Sequence, residues 1–241
     1  MSAALTPAFV LHRRPYRNTS ALLEVLTATE GRVGLVARGV TRSRSRLAST
    51  LQPFLPLLLS WSGRGELGTL TRAEEVATSY RLPPHRFALG LYLNELIVRL
   101  LGRHEPVPDL FACYQTTLQT LAAVSSAAAP LRRFERQFLA TLGLDLVLDR
   151  DSSGAALSTS CCYRYDPESG PVKLNQSETA PDVVTGASLL AFARDQLDDS
   201  EVLRDALCVT RSALDYQLGG RPLRSRELLR RASRPPARAQ S

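Results

Sequence analysis

The 241-residue sequence predicts an α+β chain: an N-terminal five-stranded barrel, then a mainly helical domain with a small irregular insert that holds a hairpin. Three observations lead there. Residues 7–76 contain five short apolar or alternating runs parted by Pro, Asn, Gly and Ser, as strands and turns require. Pro83 and Pro84 end that pattern, and apolar residues then recur every three or four positions. With 44% apolar and 22% charged residues, most of the chain can bury a core.

The strand runs, in order, are AFVLHRR, ALLEVLTA, GRVGLVARG, FLPLLLSW and GTLTRAEEVAT. Glu30-Gly31 supplies a hairpin turn between the second and third, and Ser62-Gly63-Arg64-Gly65 another before the fifth. Five such strands fit a barrel of the OB type, a frequent host for single-stranded nucleic acid. The boundary falls near residues 79–85, which predicts an OB-fold domain over 1–80 and a helical domain over 81–233.

FALGLYLNELIVRLLGR is apolar on nearly every side, with Glu95 and Arg99 paired i, i+4 on its polar strip, and is predicted to be a central helix. A second helix runs from Asp109 to Val124. Leu131, Phe134, Phe138 and Leu142 stripe a third, which Gly143 ends. Residues 150–182, rich in Ser, Gly, Asp and Pro, form the insert, where CCYRYDPESGPVKL turns at Pro167 to Gly170. Helix resumes from Gly186 with LLAFARDQL, then SEVLRDALCVTRSALDYQL up to Gly219-Gly220, then SRELLRRA. Residues 234–241 are expected to be a disordered basic tail. There is no internal repeat.

The net charge of +7 is unevenly placed. Residues 1–80 carry +5, residues 81–218 carry −4 and residues 219–241 carry +6. Lys173 is the single lysine, so arginine enrichment reflects overall composition and only placement is informative. Between Glu30 and Glu66 there is no acid, while Arg32, Arg38, Arg42, Arg44, Arg46 and Arg64 lie inside that window. In the stretch Arg38 to Arg46 the charges alternate with Thr41, Ser43 and Ser45, giving a strip able to follow a phosphate backbone; the plainer alternative is a solvated loop with surplus arginine. Phe9, Tyr16, Phe54 and Trp61 are the few aromatics available for base stacking, and core packing competes for them.

Catalytic patterns are weak. Gly63, Gly65 and Gly68 match G-x-G-x-x-G, but a strand-like segment follows where the dinucleotide fingerprint needs a helix, so a hairpin turn is the better reading. Asp145, Asp149 and Asp151 could be imagined as a metal-dependent nuclease cluster, yet their place at a helix end suits solvated turn-forming acids. Cys113, Cys161, Cys162 and Cys208 are sparse, with Cys161-Cys162 lacking the spacer of a zinc pair, so reduced thiols and no metal or cofactor are expected. No apolar run is long enough to cross a bilayer, and MSAALTPAFVLHRRP lacks signal-peptide layout; the expectation is a cytoplasmic, nucleoid-associated protein with no membrane contact.

The ordered string from AFVLHRRPYRNTSALLEVLTATEGRVGLVARG through LQPF, GLYLNELIVRLL, LRRFERQFLATLGL and CCYRYDPESG to GGRPLRSRELLR closely resembles the RecO family of bacterial DNA repair proteins, from about Ala8 to Arg231. The resemblance implies an OB-fold, a helical second domain and work as a recombination mediator, not an enzyme. It further implies binding of ssDNA and dsDNA, annealing of complementary strands, partnership with RecR, and help in loading RecA onto strands coated by single-stranded DNA-binding protein (SSB). On this sequence the DNA surface would include Arg32, Arg38, Arg42, Arg44 and Arg46. The acidic C-terminal tail of SSB would meet a basic rim at Arg132, with Arg133 and Arg136 beside it and Phe134 or Phe138 as core supports. Many relatives carry a zinc-binding cysteine cluster in the insert; with only Cys161-Cys162 there, this chain is similar to the branch without zinc. The alternatives are a plain nucleic-acid-binding or protein-interaction module, and after it a metal nuclease.

Overall fold

The computed structural model describes residues 4–40, 46–63, 65–77, 80–175 and 182–232. They form two compact units: one reaches Ala123 and is rejoined by the chain from Leu223, the other is Val124–Pro222.

The first unit is built on five strands, β1 (Thr6–Tyr16), β2 (Ser20–Thr27), β3 (Gly31–Ala37), β4 (Leu57–Ser62) and β5 (Gly68–Glu75), closed into a barrel in the order β1-β2-β3-β5-β4. All pairs are antiparallel except β3 with β5, which run parallel through Leu35↔Gly68 and Val36↔Thr69. Alternation selects the interior: Ala21, Leu23 and Val25 of β2 and Val33, Leu35 and Ala37 of β3 point into one core with Val10, Leu57 and Leu59. The in-between residues Phe9, Leu22 and Leu26 are buried as well. Two helices of the same unit, α2 (Phe87–Leu100) and α3 (Pro108–Ala123), explain this, since the Phe9 ring lies 5.4 Å from Phe111 and 5.1 Å from Tyr114 of α3. A strand covered on both sides has no polar face, which is why AFVL is unbroken.

β1 carries a bulge, its register stepping from Val10↔Val25 to His12↔Glu24. The Leu11 carbonyl accepts a hydrogen bond from Asn94 Nδ2 at 2.8 Å, and Asn94 Oδ1 accepts one from the Tyr114 hydroxyl at 2.6 Å. The polar groups freed by the bulge are thus satisfied inside the unit. A five-residue helix, α1 (Arg46–Thr50), precedes Phe54, which adopts φ +69° and sets its ring 5.7 Å from that of Phe87, tilted by 56°. Gly90 lets this ring approach, because a Cβ there would sit 2.6 Å from Phe54 Cε1. The last described helix, α7 (Arg224–Ala232), packs on α2.

The second unit pairs α4 (Ala128–Thr141) with α5 (Gly186–Ala193) and α6 (Ser200–Gln217) around a three-stranded sheet, β7 (Gly170–Lys173), β6 (Cys162–Asp166) and β8 (Val183–Thr185). Leu131, Phe134, Phe138 and Leu139 form the buried stripe of α4, with the Phe134 and Phe138 rings stacked 5.9 Å apart. The predicted hairpin is β6-β7, and β8, just beyond the insert, adds a third strand to it through Tyr163↔Val184. Thr185 closes that strand and caps α5, its hydroxyl accepting from the Ser188 amide at 3.1 Å; Asp199 caps α6 in the same manner. The predicted tail, 234–241, lies outside the described residues.

Candidate nucleic-acid interface

The barrel gathers arginines at one end, and strand register decides which. Tyr16 pairs with Ser20 and Ala21 with Ala37, so the β1–β2 turn and the exit of β3 are neighbours. Arg14 and Arg17 are exposed on the first, Arg38 on the second. Arg17 takes φ +52° in its turn and sets its guanidinium 5.2 Å above the Tyr16 ring. Arg13, half-buried, donates from Nη1 to the Ala48 carbonyl at 3.0 Å, tying α1 to β1 at this end. Arg13, Arg14 and Arg17 were not among the residues expected from the sequence; the hairpin register that brings them beside Arg38 was the signal available. Arg42 and Arg44 lie outside the described residues, and Arg46 opens α1.

Arg32 is placed differently. It sits on the outer face of β3, diagonal to Glu24 on β2, since Glu24 pairs with Gly34 and Leu26 with Arg32. Its Nη1 contacts Glu24 Oε2 at 2.9 Å and its Nε donates to the Leu101 carbonyl at 2.9 Å. Arg103, from the loop after α2, donates to the other Glu24 oxygen and reaches Glu66 Oε2 at 3.3 Å. That hydrogen bond to Glu24 is the main reason the Arg103 guanidinium holds its proton even more firmly than usual. Two cations and two carboxylates balance here, so Arg32 braces the β2–β3 ribbon against the helices. Gly31 opens the ribbon with φ +65°, where a Cβ would meet the Glu105 carbonyl at 1.7 Å.

In the second unit the three expected arginines part company. Arg132 is 6% exposed, its Nη2 2.6 Å from Glu135 Oε1, while Glu135 Oε2 accepts from the Thr210 hydroxyl. A basic rim calls for exposed side chains, and Arg132 instead faces the core because Glu135 and Thr210 draw it inward. Arg133 is half exposed and pairs with Asp195 at 2.8 Å. Arg136 donates to the Phe192 carbonyl at 2.7 Å, lies 5.6 Å over that ring, and borders a cavity of about 350 Å³ shared with Asp145, Leu146, Leu148 and Asp149. Asp151 is occupied by its own turn, accepting from the Ser153 amide and hydroxyl and the Ala155 amide. Among the described residues no group of three or more His, Cys, Asp or Glu side chains converges as a metal site, and no helix is long and apolar enough to cross a membrane.

Residues 1–79 match the family model for the recombination protein O N terminal region and residues 81–227 that for its C terminal region. Among curated proteins, the chain is similar to DNA repair protein RecO of Methylococcus capsulatus, 43% identical over 230 residues that cover 95% of this chain and 94% of the relative. The same named protein of Nitrosococcus oceani is 45% identical over 230 residues, with the same coverage, and that of Marinobacter nauticus is 41% identical over 226 residues, covering 92% of each.

Proposed function

The chain belongs to the recombination protein O family of DNA repair proteins, and we propose that it acts within DNA repair and recombination as a mediator that binds both single- and double-stranded DNA and anneals complementary strands. The observation that supports this is the basic end of the barrel, where exposed Arg14, Arg17 and Arg38 lie where the chain enters the stretch carrying Arg42, Arg44 and Arg46. Guanidinium groups on a barrel end neutralise phosphates and release their counterions without engaging base edges. Two strands can then approach while their edges stay free to pair. Arg32 contributes by holding the ribbon that carries this end.

The same reading includes partners. With RecR, the protein helps RecA onto strands coated by SSB, and the acidic C-terminal tail of SSB docks on the second unit at Arg133 and Arg136, with Arg132 behind them as a buried support. The pairing of Arg133 with Asp195 supports this reading, since it shows that Arg133 can hold a carboxylate. Replacing Arg38, Arg42, Arg44 and Arg46 by Ala is expected to weaken DNA binding and to flatten its salt dependence by about one unit of log-log slope for each phosphate that is no longer neutralised. An unchanged slope contradicts the assignment. Full binding without annealing would favour a plain nucleic-acid-binding module.

A further inference from the structure

The four cysteines serve none of the surfaces described above, and the structure sets one of them apart. Cys113 and Cys208 are half-buried, and burial pushes both thiols up. Cys161 stands just before β6 and Cys162 begins it. Around the Cys161 sulfur are the Ser158 and Ser160 hydroxyls, 3.0 Å from each other, and the Lys173 ammonium, all within hydrogen-bonding reach. The register explains the lysine, the only one in the chain: Tyr163 pairs with Lys173, so Lys173 lies diagonal to Cys161 across the β6-β7 pair.

The turn that carries both serines is fixed by its backbone. The Cys161 amide donates to the Ser158 carbonyl at 3.2 Å, the Gly186 amide donates to the Cys161 carbonyl at 2.9 Å, and the Ser158 amide donates to the Tyr163 hydroxyl at 2.9 Å. Gly186 admits this turn, since a Cβ there would sit 2.1 Å from the Ser158 carbonyl oxygen. Cys161 is thereby fastened to the first residue of α5, the positive end of that helix's dipole.

A thiolate is favoured by hydroxyl donors, by an ammonium and by a helix N-terminus, and all three meet at Cys161. The Ser158 hydrogen bond, aided by the Lys173 charge, holds the Cys161 thiol below its usual range despite partial desolvation. Asp205 of α6, which meets the same strand end at the Thr185 amide, is neutralised by Arg204 at 2.9 Å. We propose that Cys161 is a site of reversible thiol modification, reacting with low-molecular-weight disulfides to give a mixed disulfide. An electron pair of the Cys161 sulfur forms the new S–S bond, the S–S bond of the small disulfide breaks, and its other half leaves as a thiolate that solvent protonates. The Cys161 sulfur is oxidised and the departing sulfur reduced, so an added thiol reverses the step. Exposure alone would favour Cys162, the more exposed neighbour, so the order in which the two react separates this site from simple access.

The full-length protein is incubated with glutathione disulfide at neutral pH, and the modified residues are located over time by fragment mass mapping. Cys161 modified ahead of Cys162, Cys113 and Cys208, and restored by dithiothreitol, is the result expected. Cys161→Ser is expected to remove the fast reaction and Cys162→Ser to keep it. Lys173→Met is expected to slow it about threefold, because the thiolate fraction falls while the nucleophilicity of what remains rises in part, and Lys173→Arg to keep most of the rate. Cys162 reacting first, a Cys161 rate unchanged by Lys173→Met, or no modification at all overturns the proposal and leaves the DNA-binding reading untouched. Should a variant not fold, the order of modification in the unaltered protein still decides.

Discussion

Arg132 and Glu135 face each other across one turn of α4, 6% and 1% exposed, and their ion pair is completed by Thr210 from α6. The arrangement has an imperfection, since Arg132 Nε is buried without a hydrogen-bond partner among the described residues. Removing one charge of such a pair strands the other in the core. Glu135→Ala is therefore expected to cost about 3–5 kcal/mol of stability, whereas the apolar pair Arg132→Met with Glu135→Leu is expected to recover most of it, as read from urea unfolding midpoints. A single variant within about 0.5 kcal/mol of the parent would contradict the burial. The sequence shows Arg132, Arg133 and Arg136 on one helix, but not which turns inward. That choice is made by Thr210, 75 residues beyond Glu135, and no local pattern carries it. Arg32 has the same history: the acid-free window around it was legible, while its partner Glu24 lies across the hairpin and Arg103 beyond α2.

At the scale of elements, the fold was largely legible because the apolar period changes at Pro83-Pro84 and the turns carry Gly, Asn and Pro. The five barrel strands, the hairpin β6-β7 and helices α2 to α7 all correspond to runs visible in the sequence. What was missed is short: α1 has five residues and β8 three, too few to show a period, and β8 exists because β6 offers it an edge. The attachment of α7 also depends on a distant residue. Glu95 of α2 accepts from the Ser225 hydroxyl at 2.6 Å, the Ser225 amide at 2.8 Å and the Arg224 amide at 3.0 Å, serving as the cap of a helix that begins 129 residues later. Burial alone would raise its pKa, but these hydrogen bonds, with the nearby Arg99, hold it below the usual 4.5. A depressed carboxyl contributes stability above its unfolded pKa, and that contribution is lost as pH falls through the folded value. The grip on α7 is thus expected to be full at neutral pH and to fade below about 4.5. Glu95→Gln should remove this part of the acid sensitivity and cost no more than about 1 kcal/mol at neutral pH, given solvent screening. Helicity followed by circular dichroism across the acid range checks it; identical acid profiles for the two proteins would contradict it.

Over the whole molecule, charge separates into basic ends and an acidic middle, and each unit presents arginines in a different setting. On the barrel end Arg14, Arg17 and Arg38 stand exposed. On α4, Arg132 and Arg133 are already paired with acids of their own unit, while Arg136 is held by the Phe192 carbonyl. Arg133→Glu, which would face Asp195, is accordingly expected to weaken capture of an acidic SSB tail peptide about tenfold and to leave binding of naked DNA unchanged, as measured by peptide and oligonucleotide anisotropy. Equal loss of both would mean that the two surfaces act as one. The central claim is that a stripe of guanidiniums makes two mutually repelling strands tolerable neighbours. Its most direct test is to mix complementary strands precoated with SSB, add the protein without ATP, and follow duplex formation. Duplex that appears with the protein and fails with the Arg38, Arg42, Arg44 and Arg46 alanine variant is the result expected; coated strands that stay single, or strands degraded in a Mg²⁺-dependent manner, would contradict it.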